Sequence, residues 1–166
     1  MGDLEAILTA LGESGTRYLV VGGVALVLHG HPRFTADLDL VLSLEQANLR
    51  SALGALRSLG YRPRAPVPME QFADPAMRRS WIEEKGLTVF SLWSARFPAT
   101  EIDLFVEEPF PFDAAYARAL EADLGFGTVR VASIDDLIDM KQRAGRPKDL
   151  EDIAALSHMR QSSTDG

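Results

Sequence analysis

Apolar residues recur along this chain with two periods, and the alternation between them outlines its elements. Leu4, Ile7, Leu8 and Leu11 fall at helical spacing and predict an amphipathic helix over 3–13, broken by Gly12 and Gly15. Residues 18–21 (YLVV) are short, apolar and end before Gly22-Gly23, the pattern of a buried strand, and 24–28 make a short helix closed by Gly30 and Pro32. In TADLDLVL, Leu38, Leu40 and Leu42 share one strand face while Asp37 and Asp39 share the other, since side chains at i and i+2 point the same way. Leu44, Leu49, Leu53, Leu56 and Leu59 form a helical stripe, with Ser43 and Gln46 spaced as a capping box at its start.

Further along, three prolines in 61–68 predict a loop or a frayed edge strand, and 70–85 an irregular helix anchored by Trp81 and Ile82. Gly86 opens LTVFSLW, a strand by composition. Residues 100–106 alternate, with Ile102, Leu104 and Val106 on one side and Glu101, Asp103 and Phe105 on the other. A helix over 113–120 and a strand over 128–131 follow. Ser133, with Asp136 three residues on, caps a helix running through Ala144; Gly145 and Pro147 separate it from a last helix over 148–160. Helices mixed with strands predict the α/β class, or α+β if the sheet is mainly antiparallel. The expected organisation is one domain over 1–160, with a core over 1–132, C-terminal helices over 133–160 and a frayed tail at 161–166.

The chemistry concentrates in Asp37 and Asp39. Two carboxylates side by side repel unless a cation lies between them, and Mg²⁺ takes one or two carboxylates together with substrate phosphates. Gly22-Gly23 stands where a strand meets a helix, and there the missing side chains allow backbone N–H groups to approach a phosphate. The plainer reading of such a pair is a tight turn. Together with Asp103 on a later strand, the set becomes specific: three carboxylates have the composition of a two-metal centre for phosphoryl or nucleotidyl transfer. The structural alternative makes Asp37 a strand-end charge, Asp39 a partner for Arg33 and Asp103 a solvated edge residue. No P-loop and no G-x-G-x-x-G occurs, and no serine stands in G-x-S-x-G.

Composition narrows this further. There is no cysteine, which removes disulfides, thiolate zinc sites and thiol nucleophiles. The 17 basic and 24 acidic residues leave a net charge of −7, which argues against broad sequence-blind binding to nucleic acid. Lys141, Arg143, Arg146 and Lys148 nevertheless form a local basic cluster, either solvated helix ends or a phosphate-facing patch. Asp149 and Asp152 read as first-turn carboxylates of the last helix. His29, His31 and His158 lack zinc spacing and read as structural or rim residues. Trp81, Phe90, Trp93 and Phe97 read as core. No apolar run approaches the roughly 18 residues of a membrane span, and the N-terminus lacks a basic region and a cleavage site. A cytoplasmic location without membrane contact is the expectation.

The run VVGGVALVLHGHPRFTADLDLVL resembles the signature of the nucleotidyltransferase superfamily, with its DNA polymerase β-like fold: a strand ending in a glycine pair, a helix, then D-x-D, with a later lone acidic residue, here in EIDLF. The ending DLIDMKQRAGRPKDLEDIAAL resembles the C-terminal element of minimal bacterial members, including AbiEii-type toxins. The resemblance implies a mixed sheet with flanking helices and a C-terminal helical element. It makes Gly22 and Gly23 the triphosphate-binding turn, Asp37 and Asp39 ligands of Mg²⁺ or Mn²⁺, and Asp103 the third carboxylate, near the acceptor hydroxyl. It implies that Lys141 offers charge to the triphosphate, that Arg33 and Thr35 meet phosphate or the carboxylates, and that Arg146, Lys148 and Asp149 line the far wall. The implied activity is transfer of a nucleoside monophosphate from an NTP to a hydroxyl of tRNA, protein or a small molecule, with an antitoxin protein as partner. The chain departs from the pattern where Gly23 takes a position that is often serine. The rival reading is a domain of the same fold that binds a nucleotide or a partner without transferring anything.

Overall fold

The computed structural model describes residues 2–164. In chain order the elements are α1 (Gly2–Glu13), β1 (Tyr18–Val21), α2 (Gly22–Leu28), β2 (Leu38–Leu42), α3 (Gln46–Ser58), β3 (Arg62–Pro63), a 3₁₀ turn (Met69–Ala73), α4 (Pro75–Lys85), β4 (Val89–Trp93), β5 (Ile102–Phe105), α5 (Phe112–Ala117), β6 (Leu120–Asp123), β7 (Thr128–Val131), α6 (Ile134–Ala144), a second 3₁₀ turn (Pro147–Asp149) and α7 (Leu150–Thr164). The strands make one mixed seven-stranded sheet in the order β3-β4-β5-β2-β1-β7-β6. β2 runs parallel to β5 and β1 parallel to β7, while β1–β2, β4–β5, β3–β4 and β6–β7 are antiparallel. The chain is thus α/β with a mixed sheet, as expected.

The core follows the two periodicities. Ile7, Leu8 and Leu11 of α1 are buried, as are Leu49, Ala52, Leu53 and Leu56 of α3, and the two helices pack on each other. In β2 and β5, Leu38, Leu40, Ile102 and Leu104 are fully buried on one face. The opposite face is covered too, for Val41, which shares it with Asp39, is only 1% exposed. Asp39 therefore stands at the start of a strand whose following residues are covered on both sides.

Several expectations are corrected. The Ser43–Gln46 box does not form: Ser43 stays extended, its N–H donating to the Arg17 carbonyl at 3.2 Å, and α3 starts at Gln46 behind Glu45. Asn48 ties that junction instead, its Nδ2 donating to the carbonyls of Arg17 at 3.0 Å and Ser43 at 2.8 Å. The helix expected over 113–120 ends at Ala117, and Leu120 opens β6, an acidic strand recruited by its antiparallel pairing with β7. α2 begins at the glycines rather than after them. α7 continues to Thr164, so Gln161 to Thr164 are helical, while Asp165 and Gly166 lie outside the described residues. Trp81 and Phe90 are core residues stacked at 5.1 Å, but Trp93 is 37% exposed with Arg64 over its ring.

The cap on α6 forms as the spacing predicts. The Ser133 hydroxyl accepts from the Asp136 N–H at 3.1 Å and donates to the Asp136 carboxylate at 2.9 Å, while Arg118 grips that carboxylate with two bonds of 2.8 and 2.7 Å. Burial opposes the charge on Asp136, yet the Arg118 and Ser133 hydrogen bonds outweigh it and hold its pKa below the usual carboxylate range. Ser133→Ala is expected to cost about 1 kcal/mol, read by urea denaturation at pH 7. A depressed pKa stabilises above the unfolded value and is lost as pH falls through the folded one, so the difference from wild type should shrink below about pH 4.

Candidate active site

β1 delivers the chain to Gly22, whose φ of +70° lies in the left-handed region that favours glycine. Val21 pairs with Asp39 across the antiparallel β1–β2 ladder, so the end of β1 and the start of β2 meet. A Cβ at Gly22 would fall on the Asp39 carboxylate, so the glycine backbone lies directly against that acid. At Gly23 a Cβ would meet Thr35 Oγ1 at 2.7 Å, with Arg33 Nε 3.8 Å away. The doublet is thus a surface against which the D-x-D segment and its approach loop are packed, more than a bare tight turn.

Asp39 also pairs in register with Asp103 across the parallel β2–β5 ladder, which puts both carboxylates on one face of the sheet. They are close enough to share a hydrogen bond. Burial first, then the charges of Asp103 and Asp37 and that shared bond, push Asp39 up to about 7, against the opposing pull of Lys141. Asp37, one residue before β2, is exposed; desolvation and then the charges of Asp103 and Glu101 raise it above the usual carboxylate range. Asp103 accepts a hydrogen bond of 2.6 Å from the Ser91 hydroxyl on β4. Asp39 and Asp103 therefore converge, with Asp37 electrostatically coupled to both. Among the described residues no three His, Asp or Glu side chains close into a metal cage.

The structural alternative fails for Asp39 and Asp103, while Asp37 does stand as an exposed charge at the start of β2. Arg33 turns from Asp39 to Asp152, its Nη1 lying 2.8 Å from both carboxylate oxygens. Asp103 lies on an inner strand, not an edge. Thr35 Oγ1 donates to the Asp37 carbonyl at 3.4 Å. Lys141 Nζ lies 3.0 Å from Asp152 and 3.4 Å from Asp149, and Arg146 holds Asp149 through bonds of 2.8 and 3.1 Å. The Arg146 hydrogen bond, assisted by Lys141, outweighs burial and depresses the pKa of Asp149. Burial opposes ionisation of Asp152, but Lys141 and Arg33 hold its pKa low. Lys148 is exposed on the 3₁₀ turn. Asp149 and Asp152 are thus more than dipole-complementing charges: they tie the approach loop to the C-terminal helices and hold Lys141, whose charge favours ionisation of Asp39.

His29 Nε2 donates to the Ala132 carbonyl at 2.8 Å, a structural bond. A cleft of about 500 Å³, lined among others by Arg50, Arg57, Glu70 and Asp74, includes none of the residues above. Ser91 is the member of the site that sequence reasoning missed. Its alternation with buried Phe90 and Leu92 marks it as facing away from them, but only the β4–β5 register sets it opposite Asp103.

This geometry has a family. The model of the AbiEii nucleotidyltransferase toxins of type IV toxin–antitoxin systems matches residues 6–165. The chain belongs to the AbiEii family. Nucleotidyl transfer is therefore its class of activity, and the antitoxin-paired toxins are its relatives. Among solved structures, the AbiEii chain is similar to ANT(2″)-Ia in complex with adenylyl-2″-tobramycin, at 18% identity and a TM-score of 0.60, covering 96% of this chain and 86% of that one. A solution structure of the same antibiotic-resistance factor matches with 18% identity and a TM-score of 0.58, covering 96% and 81%. At that identity the likeness is one of fold. No curated protein sequence matches the chain significantly. Among the described residues, no helix is long and apolar enough to cross a membrane.

Proposed function

We propose that this AbiEii chain transfers a nucleoside monophosphate from an NTP to a hydroxyl acceptor, releasing pyrophosphate, with Asp37, Asp39 and Asp103 as its catalytic acids. The observation that carries the reading is the pairing of Asp39 with Asp103 on adjacent strands beneath Gly22. A half-buried pair of hard oxygen donors, one of them with its pKa driven up by burial and by its neighbours' charge, lacks positive charge and suits Mg²⁺ or Mn²⁺. Two carboxylates with Asp37 alongside fit a cation that completes its shell with substrate phosphates, rather than one caged by protein alone. When bound, such ions neutralise the triphosphate and favour the attacking and leaving oxygens.

The chain's own residues supply the rest. Gly22 and Gly23 let the backbone N–H groups at the start of α2 approach the triphosphate, and Lys141, whose charge already acts on Asp39, adds positive charge. Arg33, Thr35, Arg146, Lys148 and Asp149 shape the approach. Asp103 takes the proton of the acceptor hydroxyl as its oxygen bonds to the α-phosphorus, and the bond from that phosphorus to the β-phosphate oxygen breaks, so pyrophosphate carries away the electron pair. The acceptor is a hydroxyl of RNA, protein or a small molecule. Tobramycin in the ANT(2″)-Ia complex is an instance of the last, and membership of a toxin family supports an antitoxin partner for this chain.

Incubation of the protein with each α-³²P-labelled NTP, Mg²⁺ and, in turn, tRNA, a cell protein extract and an aminoglycoside tests the reading. Pyrophosphate release with label on one acceptor class is the expected result. A thermal shift with NTP and Mg²⁺ but no release with any acceptor would favour the non-transferring binder. Release that persists in Asp39→Ala would overturn the site.

A further inference from the structure

Asp103 has two neighbours on its face of the sheet, Asp39 on β2 and Ser91 on β4, each in register with it across a ladder. The first repels its charge; the second donates to Oδ1 at 2.6 Å, the length of a charge-assisted O–H···O bond. Ser91 is itself held from both sides. Its carbonyl accepts from the Arg64 N–H at 2.9 Å on the β3 side, and Phe90 and Leu92 beside it are buried on the opposite face. The hydroxyl therefore approaches Asp103 from a fixed direction, engages one oxygen and leaves the other side of the carboxylate for Asp39 and for substrate.

Building on the transfer reading above, we propose that Ser91 is a positioning residue: its hydroxyl locks the Asp103 carboxylate in the orientation that converges with Asp39, so that the pair forms one site for a divalent cation and an acceptor hydroxyl. Without that donor, no bond from the β4 side holds the Asp103 carboxylate, and it turns toward solvent. Outer partners of ligating carboxylates have effects of this kind, typically 10- to 100-fold in metal affinity or activity.

Ser91→Ala, Ser91→Val and Ser91→Thr test this, because valine and threonine match in shape and differ in the hydroxyl. Pyrophosphate release with a mixture of the four NTPs, Mg²⁺ and, in turn, tRNA, a cell protein extract and an aminoglycoside as acceptor gives kcat and KM, and electron paramagnetic resonance of free Mn²⁺ gives metal affinity without nucleotide. Ser91→Ala and Ser91→Val are expected to lower kcat and Mn²⁺ affinity about 10- to 100-fold with KM for NTP within about threefold, and Ser91→Thr to stay near wild type. On an Asp103→Asn background, Ser91→Ala should change neither quantity further. Equal behaviour of Val and Thr, an unchanged Ser91→Ala, or an additive loss with Asp103→Asn would overturn the proposal. If wild type releases no pyrophosphate, the transfer reading fails, but Mn²⁺ affinity still decides the role of Ser91; a wild type that binds no Mn²⁺ overturns both.

Discussion

Asp39→Asn is expected to cut pyrophosphate release by at least about 10³-fold and, in metal-free buffer at pH 8, to make the protein more stable. The two effects share one cause. Asp39 is half-buried between Gly22 and Asp103, and its pKa of about 7 stands well above the ordinary 3.8 because burial and the charges of Asp103 and Asp37 oppose its ionisation. A carboxyl whose folded pKa is raised stabilises fully below the unfolded value and loses that contribution as pH rises through the folded one. Wild-type stability should therefore decline between about pH 4 and pH 7, by an amount on the order of a few kcal/mol shared among the coupled acids, and level off above. Asparagine keeps the shape, carries no charge and can donate to Asp103, so the variant lacks most of that decline. Melting curves from pH 4 to pH 8 read the effect: the two proteins should differ at pH 8 and converge at pH 4. Millimolar Mg²⁺ should stabilise wild type and leave the variant unmoved. A variant no more stable than wild type at pH 8 would show that the acids do not repel as the geometry requires.

Gly22→Ala is the second large effect. The position has a φ of +70°, which costs an L-residue about 1–2 kcal/mol, and the new methyl would land on the Asp39 carboxylate. The carboxylate is the end of a side chain and yields before the backbone does, so the variant should fold with Asp39 displaced. Displacement on the order of an ångström from reacting geometry costs about 10²-fold in rate. The expected outcome is a loss of about 1–2 kcal/mol in urea denaturation with kcat lowered about 100-fold. Gly12→Ala is the control, since a Cβ there meets nothing within 4 Å and helix α1 gains propensity. Activity retained in Gly22→Ala would remove the glycine turn from the site.

Where local physics decides structure, the sequence was legible. Tyr18–Val21 and Thr128–Val131 are strands with the expected bounds, because short β-branched runs between glycines and loops have little else to form. Helix α6 is capped at its start by Ser133 and closed after Ala144 by the αL backbone of Gly145, because cap chemistry is written within four residues. Where a second element supplies the partner, the reading failed. Ser43 has the right neighbours for a cap, but the Arg17 carbonyl takes its N–H and α3 starts behind Glu45. Glu121 and Asp123 carry no strand signal, and only the β7 ladder makes that segment a strand.

The same division runs through the site. The alternation of leucine with aspartate, and the glycine pair ahead of it, by themselves determined that Asp39 faces away from the buried leucines of its strand, near a strand-to-helix turn, because a strand's period of two is a local property of the backbone. Tertiary structure alone decided that Asp39 lies beside Asp103, that Ser91 donates to Asp103, and that Arg33 and Lys141 are drawn to Asp152. Those partners lie on separate strands and helices, and the sheet order and strand register that join them depend on how the whole core packs.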